Sequence, residues 1–220
     1  MNQLVDIEIR KVLDIVIQKG VPFVCFSFPG SNNVTFFIKK NNNVSEIHDY
    51  SDMACDTGFL VTPFNEDGSD AKIFLQPDLI FDEESNNENI IKQLNQLPDY
   101  RRNLEKNHQF STEKNAFLRN VIAIKKLIKQ EKIQKAVLSK IRNIPTNNLE
   151  QILPDLFFEI NDQYTEAFCY LLFTPQTGMW LGASPESLIQ EIDKNYYTYA
   201  IAGTRYLNGT PINRIHLFIF

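Results

Sequence analysis

Two side chains, remote from one another in the chain, have types and settings that could move protons. Glu186 closes the heptapeptide Trp180-Leu181-Gly182-Ala183-Ser184-Pro185-Glu186. Pro185 has no backbone N–H and a fixed φ, so the glutamate leaves its turn in a defined direction. A carboxylate held near apolar strands has its pKa raised by desolvation, which suits a general acid. The competing reading is a strand-end glutamate that simply faces water. Lys135 opens the run Lys135-Ala136-Val137-Leu138-Ser139-Lys140. In a strand over 133–140 it shares a face with Val137 and Ser139. The ordinary reading of a lysine there is a surface residue with its apolar stem laid along the protein. A third stretch, Ala202-Gly203-Thr204-Arg205, ends a strand expected over 196–201. Gly203 and Thr204 would present backbone N–H groups and a hydroxyl, a seat for a carboxylate ligand, although any turn uses the same letters.

These residues need a frame, and the apolar periodicity supplies one. Leu4–Lys19 reads as a helix with Val5, Ile9, Val12, Leu13 and Val16 on one stripe, stopped by Gly20. Strands are expected over 23–28, 34–39, 58–64 and 71–75, which makes a small, mostly antiparallel sheet behind one helix. The acidic run 82–89 reads as a solvated loop, and 95–110 as a polar, irregular connection. A helix over 112–130 follows, with Ser111 as its N-cap and Phe117, Val121, Ile124 and Ile128 as its buried stripe. Residues 149–161 read as a helix that Pro154 kinks or restarts. The run 167–173, the turn Thr174-Pro175-Gln176-Thr177-Gly178 and a strand into the heptapeptide form a hairpin, with a further strand over 187–191.

Composition narrows the class of function. The chain has 220 residues, 43% of them hydrophobic, and a net charge of −5, enough for one sizeable core. No basic run suggests a nucleic-acid or membrane partner. No signal-peptide pattern or membrane-spanning stretch is visible, so a cytoplasmic location is expected. Cys25, Cys55 and Cys169 are far apart and odd in number, which reads as reduced thiols, with Cys25 and Cys169 buried in apolar runs. No His or Cys spacing suits zinc, and no Walker loop or Gly-x-Gly-x-x-Gly supports a nucleotide cofactor.

In order, three motifs resemble those of the chorismate-utilising enzymes, the group of isochorismate synthase, salicylate synthase, anthranilate synthase component I and aminodeoxychorismate synthase. They are residues 135–140, Trp180 through Glu186, and Ala200-Ile201-Ala202-Gly203-Thr204-Arg205. The resemblance is firm over about 110–209 and looser before that. It implies an α/β (α+β) fold, a sandwich of two antiparallel-rich sheets with flanking helices, of which only part is expected here. The division expected is 1–107 as a sheet-and-helix part and 108–220 as the first part of the chorismate-binding domain.

The resemblance also implies roles. Lys135 stands where isochorismate and salicylate synthases carry the lysine that activates water, and where anthranilate synthases usually carry glutamine. Glu186 is the acid. Ala202 stands where aminodeoxychorismate synthases carry a nucleophilic lysine, and Gly203 and Thr204 hold a substrate carboxylate. The activity implied is that of isochorismate synthase, with menaquinone biosynthesis favoured over a siderophore pathway. The substrate is chorismate, and Mg2+ is the expected cofactor, with ligands downstream and none on this chain. The tail Ile212–Phe220 is unlike the family's continuation, an acidic helix with a metal ligand. A truncated, non-catalytic chain is therefore the reading of a different class.

Overall fold

Helix α1 (Gln3–Lys19) forms where the 3.6-residue period predicts it. Ile9, Val12, Leu13, Val16 and Ile17 are buried on one face. Gly20 ends it at φ +67°, with its N–H donating to the Val16 carbonyl at 3.0 Å. Such a left-handed exit is cheap for glycine. The chain has 220 residues. This computed structural model describes residues 3–31, 33–53, 57–63, 71–82, 85, 87–100, 111–186 and 189–198.

The strands that follow are β1 (Phe23–Ser27), β2 (Val34–Ile38), β3 (Ser45–Ile47), β4 (Phe59–Val61), β5 (Lys72–Leu75) and β6 (Leu79–Phe81). Helices α2 (Asn87–Gln96), α3 (Lys114–Lys129) and α4 (Leu149–Gln163) come next, then β7 (Phe168–Thr174), β8 (Gly178–Ser184), β9 (Gln190–Ile192) and β10 (Asn195–Tyr197). The contacts divide the chain into two compact units. One holds Met1–Leu104 with Asn148–Pro185, the other Glu105–Asn147 with Glu186–Phe220.

The first unit is layered. Its five-stranded sheet runs β6-β2-β1-β7-β8, and every neighbouring pair is antiparallel. The sheet thus draws strands from both sides of residue 107. β1 is its centre, with Cys25 opposite Phe36 on one side and Leu171 on the other. All five β1 residues are buried, because both sheet faces are covered. Phe23 and Cys25 join Leu13, Val16, Leu94 and Phe157 in a core shared with the helices. Val24, Phe26 and Leu172 point the other way and pack on Val44, Ile73 and Leu75 of a second sheet, ordered β3-β5-β4, and its flank. The architecture is the α+β arrangement of antiparallel sheets and flanking helices that the sequence predicts.

Several local features depart from expectation. The acidic run read as loop through Asn89 gives way to α2 at Asn87. Its stripe of Ile90 and Leu94 is real but diluted by Asn and Gln, and burial against the main core decides the conformation. The Asn87 side chain fixes the helix start by donating to Glu8 at 2.7 Å. Pro154 neither ends nor restarts α4, which runs through it, with Leu153, Pro154 and Phe157 buried. Cys25 and Cys169 are free and buried, as expected. Burial pushes the Cys25 thiol well up, and it raises that of Cys169 against an opposing bond with Ser27. Cys55 lies outside the described residues.

The second unit, taken by itself, holds α3 and the β9–β10 hairpin. Asp193 and Lys194 turn the hairpin with φ of +50° and +63°, the twist that a two-residue turn needs. Ser111 does not cap α3. Its Oγ accepts instead from the Asn143 N–H at 2.9 Å, and the flanking Glu113 makes no side-chain cap. The expected buried stripe is also only partly covered. Phe117, Val121 and Ile124 are half-buried, and Ile128 is exposed.

Candidate functional site

The hairpin carrying the heptapeptide is tightly built. β7 and β8 pair from Phe168↔Ser184 to Thr174↔Gly178. At its tip the Thr177 N–H donates to Thr174 Oγ1 at 3.0 Å, and the two hydroxyls are 2.8 Å apart. Gly178 takes φ +73°, where a side chain would be strained. Trp180 is 56% exposed, yet it is anchored through its indole N–H, which donates to the Thr177 carbonyl at 2.7 Å. The Tyr170 ring lies across Gly182, and a Cβ there would meet the tyrosine hydroxyl at 2.8 Å. The strand thus delivers Ser184, Pro185 and Glu186 from a fixed ladder. Glu186 is exposed, directly past the strand end.

Lys135 is placed otherwise than predicted. Residues 135–146 form no strand, because no strand pairs with them among the described residues. The stretch is tied back to the start of α3. The Thr112 N–H donates to the Ile141 carbonyl at 2.8 Å, and the Ile141 N–H to Thr112 Oγ1 at 2.9 Å. Lys135 and Ser139 are exposed, Val137 is 72% exposed, and Leu138 is half-buried. The low-dielectric setting that a neutral lysine base needs is thus not supplied by the described residues. Lys135 and Glu186 belong to the same compact unit. Ala202, Gly203 and Thr204 lie outside the described residues.

The first unit also holds a cavity of about 840 Å3 that sequence reasoning did not anticipate. Phe59, Ile73, Phe168, Tyr170 and Trp180 line it, and Glu46 supplies a carboxylate. These residues come from the facing sides of the two sheets. The only sequence signal is the alternation of β7, which turns Phe168, Tyr170 and Leu172 away from the helices. Aromatic walls mixed with polar groups, Gln176 and Thr177 among them, suit a small ring-bearing molecule. Neither Lys135 nor Glu186 lines it.

No three His, Cys, Asp or Glu side chains among the described residues are grouped to hold a metal ion. No described helix is long and apolar enough to cross a membrane.

Comparison with known proteins gives one finding. The family model described as chorismate binding enzyme matches residues 39–214, more than half of the chain. No curated protein and no solved structure matches. The matched span contains β3 through β10 together with Lys135, Glu186, Ala202, Gly203 and Thr204. The chain belongs to the chorismate-binding enzyme family.

Proposed function

We propose that the chain acts on chorismate as an isochorismate synthase. Neutral Lys135 takes a proton from water, and the oxygen of that water adds at C2 of the ring. Protonated Glu186 gives its proton to the C4 hydroxyl, which leaves as water from the opposite face. Water is added and lost, so the reaction is an isomerisation with no redox change. It needs a base and an acid whose ordinary pKa values are both wrong for neutral pH. Both side chains are exposed among the described residues.

The single observation that carries this reading is the pair Lys135 and Ala202 in a chain of this family. The resemblance makes Lys135 the water-activating position, where an ammonia-using relative would carry glutamine. Ala202 leaves no amine to attack the ring directly. Gly203 and Thr204 would seat a carboxylate of the substrate. Mg2+, expected from the family, would neutralise substrate charge when bound, and no step above runs through it.

A second reading within the family is salicylate synthase, which shares both residues and differs in eliminating pyruvate from the first product. Purified chain with chorismate and Mg2+, followed by chromatography, distinguishes them. Isochorismate supports the proposal and salicylate the alternative. Unchanged chorismate leaves the non-catalytic chain.

A further inference from the structure

Charge is divided between the two compact units far more sharply than the net −5 suggests. The unit of Met1–Leu104 and Asn148–Pro185 has 9 Lys and Arg against 21 Asp and Glu. The other has 13 against 6. Most of that positive charge lies in one stretch, which corrects the reading of the chain as free of basic runs: Lys114, Arg119, Lys125, Lys126, Lys129, Lys132, Lys135, Lys140 and Arg142, with Glu131 as the one acidic residue among them. All nine are exposed, and no salt bridge holds any of them among the described residues. Elsewhere, Arg10, Lys19 and Lys39 are each paired with an aspartate.

Helix electrostatics accounts for part of this pattern. Lys126 and Lys129 sit in the last turn of α3, where the helix dipole favours cations. It does not account for Lys114 at the opposite end, where a cation is disfavoured, nor for Lys132, Lys140 and Arg142 beyond the helix. Lys125 and Lys129 are one turn apart on one face, with Lys126 and Lys129 also neighbours, so like charges are kept together at a cost in helix stability. A surface built only for solubility would intersperse the two signs.

We infer that this basic stretch gathers the dianionic substrate toward Lys135, which lies within it. The inference rests on the reading of chorismate as substrate, since chorismate carries two carboxylates. A like-signed cluster raises the local concentration and the on-rate of an oppositely charged ligand by about 10- to 1,000-fold at low salt. The effect falls as the screening length shrinks to roughly 8 Å at 0.15 M ionic strength. The acidic unit repels the same dianion, so the two charge distributions favour one surface over the other.

The test compares the chain with a variant in which Lys125, Lys126, Lys129 and Lys132 are all changed to glutamine, a residue of similar helix propensity. Circular dichroism verifies that the variant is folded. Chorismate binding is measured by calorimetry, and kcat and kcat/KM by product formation, from low to high salt. Wild-type binding and kcat/KM should each fall at least ~10-fold as salt rises. The variant should be at least ~10-fold weaker at low salt, converge with wild type at high salt, and keep its kcat. Salt-independent wild-type binding, or a variant equal to wild type at low salt, overturns the inference. Salt-dependent binding without turnover upholds the capture of the dianion and refutes the proposed reaction. Absence of chorismate binding at any salt overturns both.

Discussion

Tyr170 lies across Gly182 on the neighbouring strand, so close that an added Cβ would stand 2.8 Å from its hydroxyl and 2.9 Å from the ring carbon bearing it. The glycine of the Trp180–Glu186 motif is therefore a packing residue for the strand that leads to Glu186. Gly182→Ala should destabilise the first unit by about 1–2 kcal/mol, the usual scale of overpacking. Adding Tyr170→Ala should recover most of that, because the clash is with one side chain. Urea unfolding of the two variants checks it. A Gly182→Ala chain as stable as wild type would contradict the contact.

Ser27 and Asn161 form a buried polar pair between β1 and α4. They are 1% and 6% exposed, and the serine hydroxyl donates to the Asn161 carbonyl oxygen. Removing one partner costs the other its bond away from water, whereas removing both leaves neither half of the pair behind, although Ser27 also bonds the Cys169 thiol. Asn161→Leu should cost about 1–3 kcal/mol, and Ser27→Ala with Asn161→Leu should cost less than that single change. Denaturant midpoints in a double-mutant cycle give the sign of the coupling directly.

Asp78 joins the end of β2 to the β5–β6 turn. It accepts from Lys39 Nζ and from the Lys40 N–H, each at 2.8 Å. Partial burial pushes its carboxyl up, but the bonds from Lys39 and Lys40 outweigh this and hold its pKa below the ordinary 3.8. A depressed folded-state pKa contributes stability above the unfolded value and loses it as pH falls through the folded one. Asp78→Asn should therefore cost about 1 kcal/mol near neutral pH, reduced by partial exposure. The gap from wild type should close below about pH 4. A gap that stays constant down to pH 2 would show that the carboxylate charge is not what stabilises this junction.

What the sequence conveyed, and what it did not, follows from how local each cause is. α1 was legible because Ile9, Val12, Leu13 and Val16, all buried, repeat at helical spacing and Gly20 stops them; Val5, the fifth of the expected stripe, has no described burial. The β7–β8 hairpin was legible because its turn residues and apolar run leave few alternatives. α2 was hidden because Ile90 and Leu94 sit among Asn and Gln, and tertiary burial alone selects the helix. The strand expected at Lys135 failed for a related reason. Alternating residues permit a strand, but a ladder needs a partner, and the backbone there is tied to Ser111 and Thr112 instead. The 840 Å3 cavity could not be foreseen, since it arises from the spacing of two sheets. The motif residues of the site were legible only as a family resemblance, because their positions in the chain say nothing about what joins them.

Lys135 is exposed, so replacing it removes chemistry without removing packing. Lys135→Ala should unfold within about 0.5 kcal/mol of wild type. A loss of stability well beyond that would mean the side chain is structural.

The most direct measurement is the product of chorismate turnover by wild type and by Lys135→Ala, with Mg2+ present and chromatographic detection. The prediction is isochorismate from the wild type and none above background from the variant, with both chains equally folded. Isochorismate formed by Lys135→Ala at the wild-type rate would contradict the assignment of that lysine as the base.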